Sequence, residues 1–436
     1  MGTLGIINSD NEITSRINQA FERDGGGEYE LRFLEATDEI LEFLNYELPE
    51  VVVINFSDPR VDLERVISHI LDDTWLLNFG IIGLFNQQLT DEEEILRKMK
   101  DLNVLTLLEQ NRIRTHLLRS VEIIEENYQI IFQREFTKNL FNEASGSFVI
   151  DNDILAVPLF AGIGATILAQ RGVISPDNKM LLQLALAELI VNGVEHGNCG
   201  ISYDEKTQAM EEGLSVVDLV NRACQDPEVA AKKVYLDWEI REDGSVFIIR
   251  DEGEGFDVAA HLAKVEAQDE LSLHGRGIKM ANMLGQSLSY NEAGNEVTMT
   301  VRHEEGLPRD IPAGLSNQEV VQVQKNDIVF REGESSDFLY YISSGSYSVF
   351  HRSKHVGMLT VGDIFMGEMS FLLNKKRSAT VRAEAPGKLI KLSRKDFVNV
   401  IREYPHYGIF LSKLLAKRVV RSNARNASLA RKIKGA

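Results

Sequence analysis

In the run LALAELIVNGVEHGN, residues 184–198, a carboxylate and an amide stand one helical turn apart, Glu188 and Asn192. On a helix that spacing puts both on one face. Mg2+ takes oxygen ligands in a tight octahedron and shares them with phosphate. The Asn192 amide oxygen is a candidate ligand that adds no repulsive charge beside a triphosphate. The Glu188 carboxylate is a candidate general base toward a hydroxyl or water. Farther on, RDEGEGFD, residues 250–257, follows the apolar run SVFIIR. An aspartate at a strand end, Asp251, can accept the amino hydrogens of adenine, and Gly253 and Gly255 let backbone pass close beside a base. In LHGRGIKMANML, residues 273–284, Gly275 and Gly277 directly precede an apolar helix. Bare N–H groups at a helix start suit phosphate oxygens. Arg276 and Lys279 lie beside them as candidate cations, with a solvated lid as their plainer reading.

The elements that must hold these residues fall into four segments of a multidomain α/β and α+β chain. At 436 residues the chain is too long for one core. Its net charge of −19 argues against a broad electrostatic grip on nucleic acid or an acidic membrane. Positive charge gathers after Glu403, from Lys413 to Lys434, where a solvated basic tail is the plain reading. Two cysteines, Cys199 and Cys224, without a CxxC pair exclude a disulfide scaffold and suit a reducing cytoplasm. No charged-then-apolar leader opens the chain. The uncharged run Ile154–Gln170 is short for a membrane span and holds Pro158, Gly162 and Gly164, so it reads as a strand end leading into a buried helix.

Residues 1–113 alternate apolar strands (Leu4–Ile7, Val51–Ile54, Gly80–Phe85, Val104–Leu108) with amphipathic helices, one capped by Asp91. Repeated βα units predict a doubly wound parallel sheet. This order and spacing resemble a response-regulator receiver domain. The family's acidic metal-binding residues are replaced by Asn8 and Ser9, its phosphoacceptor by Asn55, and its hydroxyl residue by Phe85. Its lysine is missing near Glu109-Gln110. An amide cannot become an aspartyl phosphate, so a pseudo-receiver used for docking or dimerisation is expected. The rival reading is phosphorylation at Asp58 or Asp10. Residues 114–143 form a helical connector with Leu117, Val121, Ile124, Tyr128, Ile131 and Leu140 near heptad spacing. A homodimeric coiled coil, or packing onto a neighbouring domain, would give that stripe. His116 reads as a surface histidine; a phosphoacceptor role would need a second hairpin helix, and none fits before the strand at Phe148.

Residues 146–304 carry the three motifs in order. Together they resemble the Bergerat ATPases, an α/β sandwich superfamily. Within it, the stretch from Phe148 through AELIVNGVEHGN to VTMTVRH looks like the anti-sigma-factor serine kinases. The resemblance implies ATP and Mg2+ as ligands. It makes Glu188 the base, Asn192 the Mg2+ ligand, Asp251 the adenine anchor, and Gly253 and Gly255 the hinge under the base. Gly275 and Gly277 would touch phosphate. His196 and Asn198 flank the nucleotide in such folds, with capping as the alternative role. The chain departs from the family at Cys199–Lys233, where AMEEGLSVVDLVNRA implies an inserted helix. It departs again at Asn295, which stands for the threonine that helps hold adenine.

After a linker at 305–318, residues 319–436 alternate short strands with Gly333, Gly345, Gly357 and Gly362 at turns, which predicts an antiparallel β-roll with terminal helices. The run FMGEMSFLLNKKRSATV, residues 365–381, resembles a cyclic nucleotide-binding domain. In that family a glutamate, here Glu368, accepts from the ribose 2′-hydroxyl, and an arginine, here Arg377, pairs with the cyclic phosphate. A planar guanidinium matches phosphate with two parallel bonds. Ser378 would add its hydroxyl, and Gly367 and Ala379 their backbone, with Met369 on the same short helix. Ser378 is similar to the catabolite activator rather than to cGMP-selective members, which implies cAMP over cGMP. No helix-turn-helix fits after about Tyr404, so DNA binding is not expected. The four segments together imply a cytoplasmic signalling protein. It would be an ATP-dependent serine kinase acting on a sigma factor or anti-sigma-factor antagonist and governed by cyclic nucleotide. A non-catalytic scaffold is the alternative.

Overall fold

The structure, a computed structural model, describes residues 2–23, 29–73, 79–89, 92–132, 144–241, 244–258, 287–304, 311–360, 364–405, 407–409, 411–412 and 415. Five strands, β1 (Gly2–Ile7), β2 (Tyr29–Leu34), β3 (Val51–Asn55), β4 (Gly80–Phe85) and β5 (Val104–Glu109), form one parallel sheet in the order β2-β1-β3-β4-β5. Every residue of β3 and β4 is buried, which is what helices on both faces require. Val52 and Ile54 point to α2 (Thr37–Glu47), α3 (Leu63–Asp72) and α4 (Glu92–Lys98). Val51 and Val53 point to α1 (Asn11–Arg23) and α5 (Ile113–Phe132). The expected N-cap Asp91 and Leu140 of the heptad stripe lie outside the described residues.

The stripe on α5 is consumed inside the chain. Leu117, Val121 and Ile124 are fully buried, and Tyr128 and Ile131 nearly so, in a core shared with α1 and with α6 (Val157–Gln170). That corrects the coiled-coil expectation, because a dimer seam would have to be stripped from this core. The reading of His116 as a surface histidine is corrected too. Its Nε2 lies 3.4 Å from Asp153 and its side chain is 15% exposed.

The same core runs on into the next unit. Its sheet is antiparallel, β6 (Ala144–Ile150), β7 (Val234–Ile240), β8 (Gly244–Arg250), β10 (Glu296–Arg302) and β9 (Ser287–Tyr290), in the order β6-β7-β8-β10-β9. Residues alternate buried and half-buried along β7 and β8, the mark of a sheet covered on one face. The cover is α6 and α7 (Pro176–Asn192). Helix α6 is the uncharged run, buried almost all round. Among the described residues no helix is long and apolar enough to cross a membrane. Helix α6 also lies directly on β5: a Cβ on Gly162 would stand 2.0 Å from the Leu105 carbonyl oxygen. Beside that contact Gln170 donates to Asn103 Oδ1 at 2.9 Å and the buried Lys179 donates to the Leu102 carbonyl at 2.7 Å.

The insertion is three short helices rather than one, α8 (Tyr203–Glu211), α9 (Val216–Ala223) and α10 (Pro227–Ala231). Gly213, at φ +80°, breaks the expected helix, and Ser215 and Asp218 restart the chain as a capping box. The last unit packs two four-stranded antiparallel sheets. One is β11 (Glu319–Val323), β18 (Gly387–Ser393), β13 (Phe338–Ser344), β16 (Phe365–Met366); the other is β12 (Ile328–Phe330), β17 (Thr380–Ala383), β14 (Ser346–His351), β15 (Lys354–Thr360). A short helix, α11 (Glu368–Leu372), and a longer one, α12 (Arg394–Glu403), complete it. Gly333 and Gly345 take positive φ at turns as expected. Gly357 does not: it lies inside β15, and the turn before that strand is made by Arg352 and Ser353. Gly362 lies outside the described residues.

Candidate nucleotide-binding sites

Helix α7 delivers Glu188 and Asn192 half-buried at its C-terminal end, while Leu189 and Ile190 between them are buried. Neither side chain is hydrogen-bonded to another described residue. The chain then widens into one π-helical turn, Gly193–Asn198, marked by the Cys199 N–H donating to the Val194 carbonyl at 2.9 Å. Such turns recur at functional sites because they re-aim side chains. Here the turn brings Gly193 and Gly197 against Asp251, the first residue past β8. A Cβ on Gly193 would lie 3.5 Å from Asp251 Cβ, and one on Gly197 only 2.3 Å from its carboxylate. The first two motifs therefore meet in space.

Around Asp251 the backbone closes in. The Gly253 N–H donates to Asp251 Oδ1 at 2.8 Å, and a Cβ on Gly253 would stand 2.3 Å from the Gly197 carbonyl. Gly255 sits at φ +78°, its missing Cβ 1.8 Å from the Ala293 carbonyl. Burial raises the Asp251 pKa above the ordinary carboxylate range, against the lowering effect of the Gly253 bond. Asn295 takes part by backbone, its carbonyl accepting from the Asp251 N–H at 3.0 Å. Its side chain is tied to Asn291 at 2.8 Å.

Asn198 is engaged inside the fold. Buried, it donates to Asn152 Oδ1 and accepts from the Glu252 N–H, both at 2.8 Å, and so pins the π turn to the end of β8. His196 Nδ1 lies 2.5 Å from the Ile201 carbonyl. The buried Glu195 next to it is paired with Lys206 at 2.6 Å, an ion pair with no forewarning in the sequence. Gly275, Arg276, Gly277 and Lys279 lie outside the described residues.

In the C-terminal unit Glu368 and Arg377 are both buried, 7% and 3% exposed. The Arg377 guanidinium donates to the Gly367 carbonyl at 2.9 Å and to the Phe338 carbonyl. Its Cζ lies over the Phe330 ring, 4.2 Å from the centroid. Among the described residues its Nε has no hydrogen-bond partner. Burial lowers its pKa, which still leaves it charged. Gly367 opens α11 at φ +78°, and a Cβ there would stand 2.1 Å from Arg377 Nη1. Ser378 is exposed and Ala379 half-buried on the way to β17, while Met369 is 63% exposed on α11.

The C-terminal edge of the first sheet carries the remaining polar cluster. Asn55 donates to Asn8 Oδ1 at 2.8 Å, and Gln110 to Asn55 Oδ1 at 3.3 Å. Asn8 in turn donates to the Asp10 carbonyl at 2.9 Å and to Thr14 at 3.1 Å. Asp58 is buried and accepts from the Ser9 N–H at 2.5 Å, the Ser9 hydroxyl at 2.7 Å and the Arg60 N–H at 3.0 Å. Burial alone would raise its pKa, but these bonds hold it below the ordinary range. The carboxylate is fully engaged inside the fold, which removes the support for Asp58 as a phosphoacceptor.

Residues 161–301 match the family described as Histidine kinase-like ATPase domain. Residues 320–404 match the family described as Cyclic nucleotide-binding domain. The cAMP-dependent protein kinase type II regulatory subunit of Drosophila melanogaster is 36% identical over 80 residues, 18% of this chain and 21% of that protein. The human potassium/sodium hyperpolarization-activated cyclic nucleotide-gated channel 3 is 32% identical over 125 residues, 29% of this chain and 16% of that protein. The chain thus spans about a fifth or less of the length of these relatives. The crystal structure of Thermus thermophilus Catabolite Activator Protein matches at 27% identity and a TM-score of 0.25, covering 27% of this chain and 57% of that one. The chain carries a histidine kinase-like ATPase domain followed by a cyclic nucleotide-binding domain, the make-up of a nucleotide-regulated signalling protein.

Proposed function

We propose that this chain is an ATP-dependent protein serine kinase of anti-sigma type, working in the cytoplasm on a small protein partner and regulated by cyclic nucleotide, cAMP in preference to cGMP. The observation that carries the reading is the glycine-lined cradle around Asp251, set beside the helix end that presents Glu188 and Asn192. Asp251 accepts the adenine amino hydrogens. Asn192 holds Mg2+ through its amide oxygen, and Glu188 takes the proton of the attacking serine hydroxyl. ATP supplies the phosphoryl group. In the C-terminal unit Glu368 takes the ribose hydroxyl and Arg377 the cyclic phosphate. The unit at 1–113 is a pseudo-receiver, a docking module whose amide cluster replaces an acidic pocket. The unit at 146–304 holds ATP, and 319–436 senses the cyclic nucleotide.

The non-catalytic scaffold remains the second reading, favoured by Asn295 at the threonine position with its amide occupied by Asn291. Glu188→Gln separates the two. The kinase reading requires that the variant bind ATP like the parent and lose phosphate transfer to a serine of a captured partner. A wild-type chain that binds ATP and transfers phosphate to no captured partner leaves the scaffold standing.

A further inference from the structure

The turn Asp151-Asn152-Asp153 directly follows β6, and its polar side chains have no part in the chemistry proposed above. Each is committed across the fold. Asn152 donates to the Val229 carbonyl of α10 and accepts from Asn198 Nδ2, both at 2.8 Å. Asn198 Oδ1 accepts in turn from the Glu252 N–H, one residue past Asp251, at 2.8 Å. Lys233 closes the circuit: its N–H donates to Glu252 Oε2 at 2.8 Å and its ammonium to Asp151 Oδ1 at 2.7 Å. The ring joins the end of β6, the π turn, the end of β8 and the insertion. It is tied to α5 of the first unit on either side of Asn152. Arg119 donates to Asp151 Oδ2 at 2.7 Å, and His116 Nε2 lies 3.4 Å from Asp153.

The direction of these bonds decides what Asn152 does. A side-chain amide donates from one end and accepts at the other. Asn198 turns its oxygen to the Glu252 N–H, so its NH2 needs an acceptor, and Asn152 Oδ1 is that acceptor. Asn152 offers its oxygen because its own NH2 is taken by a backbone carbonyl, which only accepts. The Val229 carbonyl therefore orients Asn152, Asn152 orients Asn198, and Asn198 holds the backbone beside Asp251. Asn198 is 1% exposed, so removing its partner leaves a buried amide unsatisfied, a costly state that drives it to rearrange.

We propose that Asn152 is a positioning residue of the adenine anchor, set from outside by Arg119 and His116 of α5, so that the first unit tunes affinity for the adenine base. The consequence for affinity rests on the ATP reading. The Arg119 and Asp151 side chains are 49% and 46% exposed, and such a pair contributes little by itself. Its effect is to restrain the turn on which Asn152 stands, so the two ties act on the site through Asn152.

The test uses the full chain, with calorimetry of ATP and of inorganic triphosphate in Mg2+, and hydrogen exchange without nucleotide. Asn152→Ala should bind ATP roughly 2- to 12-fold more weakly, the worth of one neutral hydrogen bond, and bind triphosphate like the parent. Exchange in the peptide covering Glu252 and Gly253 should quicken. His116→Phe with Arg119→Met should weaken ATP binding ~2- to 5-fold in the parent and change nothing further in Asn152→Ala, as coupled sites do. Parental ATP affinity in a folded Asn152→Ala chain overturns the positioning role. An equal loss for triphosphate overturns it too, because that is general loosening of the fold. Additive losses from the α5 and Asn152 substitutions overturn the setting by α5. A parent that binds no ATP strikes the ATP reading, and the exchange then decides alone: faster exchange at Glu252 in Asn152→Ala upholds the positioning, and unchanged exchange overturns it.

Discussion

Gly197→Ala isolates the part of the ATP site that the fold makes most explicit. Gly197 has no positive φ and lies in a helical turn, so alanine suits its backbone and helix propensity alone would favour the change by up to ~1 kcal/mol. The side chain is the difficulty. Its Cβ would stand 2.3 Å from both Cγ and Oδ1 of Asp251 and 2.7 Å from Oδ2. That carboxylate is short and fixed by the Gly253 N–H at 2.8 Å, so it has to swing away and give up the bond. The two stability effects are of similar size and opposite sign, and the melting temperature should barely move.

Binding should move a great deal. A hydrogen bond to a charged acceptor is worth about 1.5–3 kcal/mol. Losing the adenine contact therefore weakens ATP binding roughly 10- to 150-fold at about 1.4 kcal/mol per decade. Titration calorimetry with Mg2+ and ATP, beside a thermal melt, reads both numbers. Parental affinity in a folded Gly197→Ala chain would refute the assignment of Asp251 as adenine anchor. So would an equal loss of affinity for ATP and for inorganic triphosphate, because the cradle reads only the base.

Three further outcomes are expected. In Arg377→Lys a compact ammonium replaces a fork that spans the Gly367 and Phe338 carbonyls and lies over Phe330; cAMP affinity by fluorescence should fall at least ~10-fold, and a parental value would remove Arg377 from the site. The Asp251 pKa is raised by burial. The nucleotide-free fold therefore keeps this proton to higher pH than the unfolded chain, and Asp251 favours folding at low pH and loses that contribution as pH rises through its folded pKa. ATP needs the ionised form, so affinity should start to fall on acidification above the ordinary aspartate range of about 3.9. Asp251→Asn should bind ATP weakly at every pH and melt no lower than the parent at neutral pH; a variant with parental affinity would contradict this. Gly162→Ala should destabilise the chain by about 1–3 kcal/mol in denaturant, as overpacking does, because its Cβ would meet the Leu105 carbonyl at 2.0 Å; a gain in stability would show that α6 does not rest on β5.

The sequence was most legible where burial is continuous or polar spacing is unusual. Val51–Ile54 and Gly80–Phe85 read as strands because both faces of β3 and β4 are covered. Strand β2 escaped notice because it lies at the sheet edge, where YELRFL alternates half-buried and exposed residues and charged side chains stand in the open positions. Asp251 and the two glycines after it were found by type and order, but nothing local shows that Gly197 lies against that carboxylate. That is a long-range packing fact. The Glu195–Lys206 pair was hidden for the same reason, because it joins the π turn to an insertion whose path the sequence does not fix. The stripe on α5 was legible as apolar periodicity, yet periodicity cannot say whether the covering partner is another chain or the next helix.

That covering matters for how a signal could reach the ATP site. Helix α7 begins at the boundary with the first unit and ends at the site, with Lys179 bonded to the Leu102 carbonyl and Asn192 at its last position. Helix α6 rests on β5 with no room for a methyl group. Close-packed contacts of this kind transmit displacement instead of absorbing it. On the other side of the first unit, Tyr407 from the C-terminal unit is hydrogen-bonded to the buried Asp73 just past α3, and its hydroxyl also accepts from the Gly314 N–H at 3.1 Å. The N-terminal unit therefore touches both nucleotide units. Under the proposed regulation, a change of cyclic-nucleotide occupancy that shifts Tyr407 works on α7 through the parallel sheet. This gives the N-terminal unit, with its amide cluster of Asn8, Asn55 and Gln110, a mechanical reason to be kept rigid.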